Sequence, residues 1–152
     1  MAAADPWKIF DAFKNDILVK VHDLSVDDIK MSLHANAYVP STDTDALFAT
    51  ATNELSGDGY AIQSLAGEAV SNPSAGVIRF DFTDQAFPQA SADWAPNARN
   101  AVIHNDTPSS PLNPLIGFSL LDSAPADIDV NDGDTLTIQI NASGMFEISG
   151  AA

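Results

Sequence analysis

The stretch Ile29-Lys30-Met31-Ser32-Leu33-His34 alternates apolar and polar residues without a break. That period of two belongs to a β-strand, because successive side chains leave a strand on opposite faces. The run closes near Pro40, and the same rhythm returns downstream, where Ile78, Phe80 and Phe82 alternate with Arg79 and Asp81. Three more short apolar runs follow, ARNAVIH (98–104), LIGFSLL (115–121) and LTIQI (136–140), each bounded by Asn, Asp, Pro or Gly, and MFEIS (145–149) follows Gly144. Between them STDTDALFATATNELSGDGY (41–60) is rich in turn formers, with Gly57-Asp58-Gly59 as its strongest break. About seven short strands separated by turns predict a mainly β protein, a β-sandwich or jelly roll. Its inner face is expected to include Ile29, Met31, Leu33, Ile78, Phe80, Leu136, Ile138 and Ile140.

Upstream the period changes. Asp5 suits a helix N-cap and Pro6 a first helical position. Beyond them Ile9, Phe10, Phe13, Ile17 and Val21 fall on one side, opposite Lys8, Asp11 and Asn15. The spacing predicts one amphipathic helix within residues 6–20, and divides the chain into an N-terminal helical arm, 1–22, and a β-sandwich domain, 23–152. The apolar stripe either packs on the chain's own β-core or docks in a groove of a partner. In the second case Trp7, Phe10 and Phe13 are the candidate interface residues.

Composition narrows the function classes. At 152 residues and 16.0 kDa the chain has room for one core. With 45% apolar and 18% charged residues it is too apolar to be disordered, and no apolar run is long enough to span a bilayer. Twenty-one acidic residues against six basic ones give a net charge of −15, which disfavours direct binding to nucleic acid, since that depends on Lys and Arg displacing counterions. All four lysines lie in the first thirty residues, so the remainder carries fifteen acidic residues against Arg79 and Arg99, a net of −13. Eighteen of the acidic residues are Asp and three are Glu, and with nine Pro and eight Gly this composition favours turns over helices. Cysteine is absent, so no disulfide scaffold, Cys-ligated zinc site or thiol nucleophile is available.

Motifs for chemistry are missing. His22, His34 and His104 have neither HxH nor HExxH spacing, which leaves no zinc signature. The acidic stretch Asp127-Ile-Asp129-Val-Asn131-Asp132-Gly133-Asp134 has carboxylates of the kind calcium takes. It misses the EF-hand pattern, because its Gly comes one residue late and the bidentate Glu position falls on Ile138; it reads as a solvated turn. Neither a GxSxG elbow nor a phosphate-cradling GxxxxGK(S/T) loop occurs. The expectation is a protein that is no enzyme and needs no metal or cofactor.

Three blocks resemble a widespread group of small virion proteins of tailed bacteriophages. DLSVDDIKMSLHANAYVP (23–40) is similar to that group's first strand and Tyr-Pro turn, NELSGDGYAIQSLAG (53–67) to its Gly-x-Gly-Tyr turn, and ARNAVIHNDT, PLIGFSLL and DGDTLTIQINASGMFEIS to its paired strands and terminal hairpin. The likeness runs from about residue 8 to 149. His104 stands where an aromatic is usual and Ile140 where Trp is usual, and Ala95 to Asn100 and Pro108 to Pro114 are local variants, departures that touch packing and loops.

The resemblance implies a structural component of the phage particle. Small size, a β-rich body without catalytic motifs and an acidic surface that packaged DNA would repel point to a capsid decoration (cement) protein on the outer surface of the head. Its expected partners are the major capsid protein and copies of itself, as a trimer or dimer. A neck, tail or fibre component is the alternative within the virion. A carbohydrate-binding module is the alternative outside it, with a platform of Trp94 and Tyr38 or Tyr60.

Overall fold

Strand β2 (Ile29–His34) occupies the expected stretch and lies inside the largest sheet. The computed structural model describes residues 4–57, 59–88, 90–124 and 126–150; Asp58 of the expected turn lies outside them. The remaining elements are β1 (Lys8–Ile9), α1 (Asp11–Leu18), β3 (Gln63–Ser64), β4 (Ala69–Ser74), β5 (Val77–Asp81), β6 (Gln85–Ala86), β7 (Asn100–Asn105), β8 (Leu115–Leu120), β9 (Thr137–Ile138) and β10 (Phe146–Ser149), with a 3-10 turn at Phe48–Thr50. Among the described residues three antiparallel sheets result, in the orders β1-β8-β7-β2-β3, β10-β5-β4 and β6-β9. The protein is mainly β, with one α-helix among the described residues, an arrangement compatible with a β-sandwich.

The five-stranded sheet is covered on both faces. On one, Ile29, Met31 and Leu33 of β2, Ala101 and Ile103 of β7 and Ile116 of β8 meet Phe80 and Ile138 of the other two sheets and Phe82, Phe87 and Met145 next to their strands. On the other, Val102, Leu115 and Phe118 meet Phe10, Tyr38 and Ala51. Every residue of β7 is therefore buried, which explains why ARNAVIH and LIGFSLL read as short runs without alternation. Gly117 lets β1 join this sheet: a Cβ there would lie 2.8 Å from the Lys8 carbonyl oxygen and 2.7 Å from Met145 Cε.

Residues 4–22 are woven into this body and do not stand off as an arm. Asp5 N–H donates to the Leu120 carbonyl, and Lys8 and Ile9 pair with Phe118 and Gly117. Helix α1 consequently starts at Asp11, with Phe10 as N-cap and no side-chain cap. The local signal of Asp5-Pro6 is overridden by strand pairing, which satisfies the same backbone groups. Of the expected inner-face residues, Ile29, Met31, Leu33, Phe80 and Ile138 are buried, and Leu136 and Ile140 are partly buried against the same core. Ile78 departs from expectation at 45% exposed. It shares a face with Phe80, but the core ends before reaching it.

Candidate functional site

Buried polar side chains form one candidate. Residues 30, 32 and 34 of β2 face residues 104, 102 and 100 of β7 across the ladder, and this places Ser32, His34, Asn100 and His104 in the second, smaller core. His34 Nδ1 is 2.8 Å from the Thr52 carbonyl oxygen, so it carries the proton, and the Ser32 hydroxyl donates to Nε2 at 2.9 Å. Hydroxyl and imidazole thus stand at the distance of a nucleophile and its base. Both residues are 0% exposed, so no substrate reaches them. His104 stacks on Phe48 with ring centroids 4.1 Å apart, and its buried Nδ1 has no hydrogen-bond partner. Burial pulls the His104 imidazole down to about 4, and lowers that of His34 too. The pair works as neutral packing.

The acidic stretch is also engaged structurally. Asp127 accepts from Arg99 Nε at 2.6 Å and from Asn36 at 3.0 Å, Asp129 accepts from Asn97, and Asp134 accepts from Asn131 at 3.1 Å. Among the described residues no group of three or more His, Cys, Asp or Glu side chains is placed to hold a metal ion. The aromatic platform proposed for sugars points inward. Trp94 and Tyr38 are buried, while the half-buried Tyr60 stacks on Phe87 and packs edge-on against Trp94. The Tyr60 hydroxyl accepts from Leu33 N–H at 2.9 Å and donates to Glu54 at 3.1 Å, tying the NELSGDGY turn to β2. Desolvation raises the Glu54 carboxyl above its ordinary value.

The structure does not bring Trp7, Phe10 and Phe13 together on an open surface. Phe10 and Phe13 are 0% and 1% exposed, packed against Phe118 and Phe146 respectively. Trp7 is half-buried and meets Phe82 edge-on at 6.5 Å, on the wall of an open trough of about 830 Å³ that also includes Leu121, Ile128, Ile138 and Met145. Those four are the margin of the core.

A different surface carries exposed apolar area. In the β10-β5-β4 sheet the register places Ile148 opposite Ile78, and Phe146 and Val70 opposite Phe80. All five side chains therefore leave one face. Phe80 is buried at the inner end, whereas Ile78 and Ile148, further out along their strands, and Val70, beside Phe80 on the edge strand, are 45%, 47% and 50% exposed. With Ile17 and Leu24 they line a shallow depression of about 440 Å³, rimmed by Lys20, His22 and Asp23. Sequence reasoning missed this shelf. The period-two signal identified the face of β5 without showing where the core stops, and β4 was hidden by Asn72-Pro73.

Comparison of the chain with protein-family models, with curated proteins and with solved structures finds no match.

Proposed function

We propose that this protein is a structural component of a tailed-bacteriophage virion, and specifically a decoration (cement) protein on the outer surface of the capsid, bound to the major capsid protein and to copies of itself. The fold ascribed to it is a β-sandwich, with the five-stranded sheet packed across the main core on the two smaller sheets. The carrying observation is the exposed shelf of Val70, Ile78 and Ile148 on a body whose buried Ser–His pair is sealed from substrate. Contiguous exposed aliphatic side chains mark a surface that another protein covers. The −15 charge supports an outward position, since packaged DNA repels it. Trp7, Phe10 and Phe13 serve this reading by fixing the N-terminal strand and helix to the body.

The test is to add purified protein to phage heads that lack it, count bound copies and locate them by electron microscopy. Hundreds of copies on the head exterior, with heads that resist heating better once coated, support the reading. A handful of copies at the portal or tail tip replaces it with a neck, tail or fibre role, and no binding to any particle overturns it.

A further inference from the structure

We infer that two copies of this chain associate through β10, edge to edge and antiparallel about a two-fold axis centred on Ile148. This names the symmetric contact within the oligomer proposed above and rests on that reading only for its biological setting; the geometry stands on the sheet itself. The three-stranded sheet has two edges, and they differ. Edge strand β4 contains Pro73, which has no N–H to donate, and its register slips between Ser71 and Ser74. A proline and a register irregularity are two of the devices by which proteins prevent edge pairing. Edge strand β10, Phe-Glu-Ile-Ser, has neither device, and Glu147, Ile148 and Ser149 are all exposed. The edge strands of the other sheets, β1, β3, β6 and β9, are two residues long. The one edge among the described residues that is longer than two residues and free of both proline and register slip thus finds its match in the same edge of a second copy, which makes the contact isologous.

The register follows from the ladder. Gly150 N–H donates to the Gly76 carbonyl, and Ile148 pairs with Ile78 two residues earlier, so Ile148 spends its backbone groups on β5. The N–H and C=O groups of Glu147 and Ser149 then point away from the sheet. Antiparallel pairing of two such edges sets Glu147 of one copy against Ser149 of the other, twice, with the two Ile148 residues facing each other as a non-hydrogen-bonded pair. No like charges stand directly opposite. Glu147 is already matched by Arg79 within its own chain, through Nη2 at 2.7 Å and Nε at 2.9 Å. The resulting six-stranded sheet, β4-β5-β10-β10-β5-β4, joins the two shelves into one apolar strip across the axis.

Full-length protein is measured by sedimentation equilibrium from about 1 to 100 µM, at 0.15 and 0.5 M NaCl. The expected species is a dimer of twice 16.0 kDa. It should tighten severalfold at the higher salt, because screening weakens repulsion between two −15 bodies. Because the chain has no cysteine, Ile148→Cys provides a direct geometric readout. Paired non-hydrogen-bonded residues have Cα atoms about 4.5 Å apart, within disulfide reach, so this variant should cross-link under mild oxidant while Val70→Cys, two strands from the axis, should not. Ser149→Pro removes an outward N–H and leaves the ladder to β5 intact; it should sediment as a monomer with an unchanged circular dichroism spectrum. A wild-type monomer throughout the range, or equal cross-linking of both cysteine variants, overturns the inference. Particles are absent from these measurements, so a dimer that binds no phage head would count against the virion reading alone.

Discussion

Strands β7 and β8 are buried on both faces, whereas in the β4-β5-β10 sheet most residues are exposed on at least one. Both regions are antiparallel, and β-branched residues are about as frequent in one, three of twelve in β7 and β8, as in the other, four of fifteen, so their number does not distinguish the two. The difference is cover. The first sheet lies between the main core and the smaller one beneath Phe48, while the second meets the core only at its inner end, at Phe80 and Phe146. Aliphatic residues in the first sheet hold the fold, and those at the outer end of the second are free to meet another surface.

The sharpest way to break this contrast is a matched pair of charges. Ile116→Asp places an unpaired carboxylate between covered faces and should abolish the cooperative thermal transition, while Ile78→Asp on the shelf should keep the fold, with a shift of only a few degrees. If the two variants melt alike, the contrast in cover is wrong. A milder version is Ile103→Ala, a buried truncation of about 2–5 kcal/mol. At roughly 2–4 °C per kcal/mol for a chain of this size, its Tm should fall clearly below wild type.

Acid tests the covered sheet differently. His104 is neutral when folded because burial depresses its pKa from 6.5 to about 4, so the unfolded chain takes up its proton first as pH falls. Its stability contribution is complete above pH 6.5 and is lost progressively down to about pH 4, about 3 kcal/mol in all. Buried His34 and His22 act in the same direction. Lys30 opposes protonation of His104 while Asp106 and Asp28 favour it. Urea melts at pH 7.5 and 4.5 should differ accordingly, and His104→Phe, which keeps a ring against Phe48, should flatten the slope. An unchanged slope in that variant would remove His104 from this role.

Strands of both sheets were legible in the sequence, β2, β7 and β8 in the covered one and β5 and β10 in the open one, but the difference in cover was not. β2 announced itself because apolar residues alternate with polar ones, although the polar members Ser32 and His34 turned out to be buried too, satisfied by each other and by Thr52. β1 was illegible: two residues paired across the chain to Phe118 and Gly117 leave no periodic trace, and the local signal there spelled a helix. The candidate site escaped because exposure at Ile78 depends on where a neighbouring layer ends, which no local spacing encodes.

Smaller effects refine the picture at the hairpin that delivers β10. Gly144 has φ of 74°, and a Cβ there would fall 2.6 Å from the Phe80 carbonyl oxygen. Gly144→Ala should cost about 1–3 kcal/mol and disturb β10 before β7, read by hydrogen exchange. Smallest of all is calcium. Three carboxylates of the Asp127–Asp134 stretch already have partners within the chain, so millimolar Ca²⁺ and EDTA should give Tm values within about 2 °C. A rise of ten degrees with calcium would reveal a site by mass action.

The pairing of β1 with β8 also sets a schedule for synthesis. Ile9 meets Gly117, so the N-terminal strand has no partner until the chain has grown beyond that glycine. At about 5–20 residues per second, over a hundred residues must leave the ribosome first, a wait of roughly five to twenty seconds. During that wait Phe10 and Phe13 lack Phe118 and Phe146, the rings they pack against in the finished fold. A nascent chain stalled before residue 115 should be held by chaperones through this segment and let go once LIGFSLL emerges.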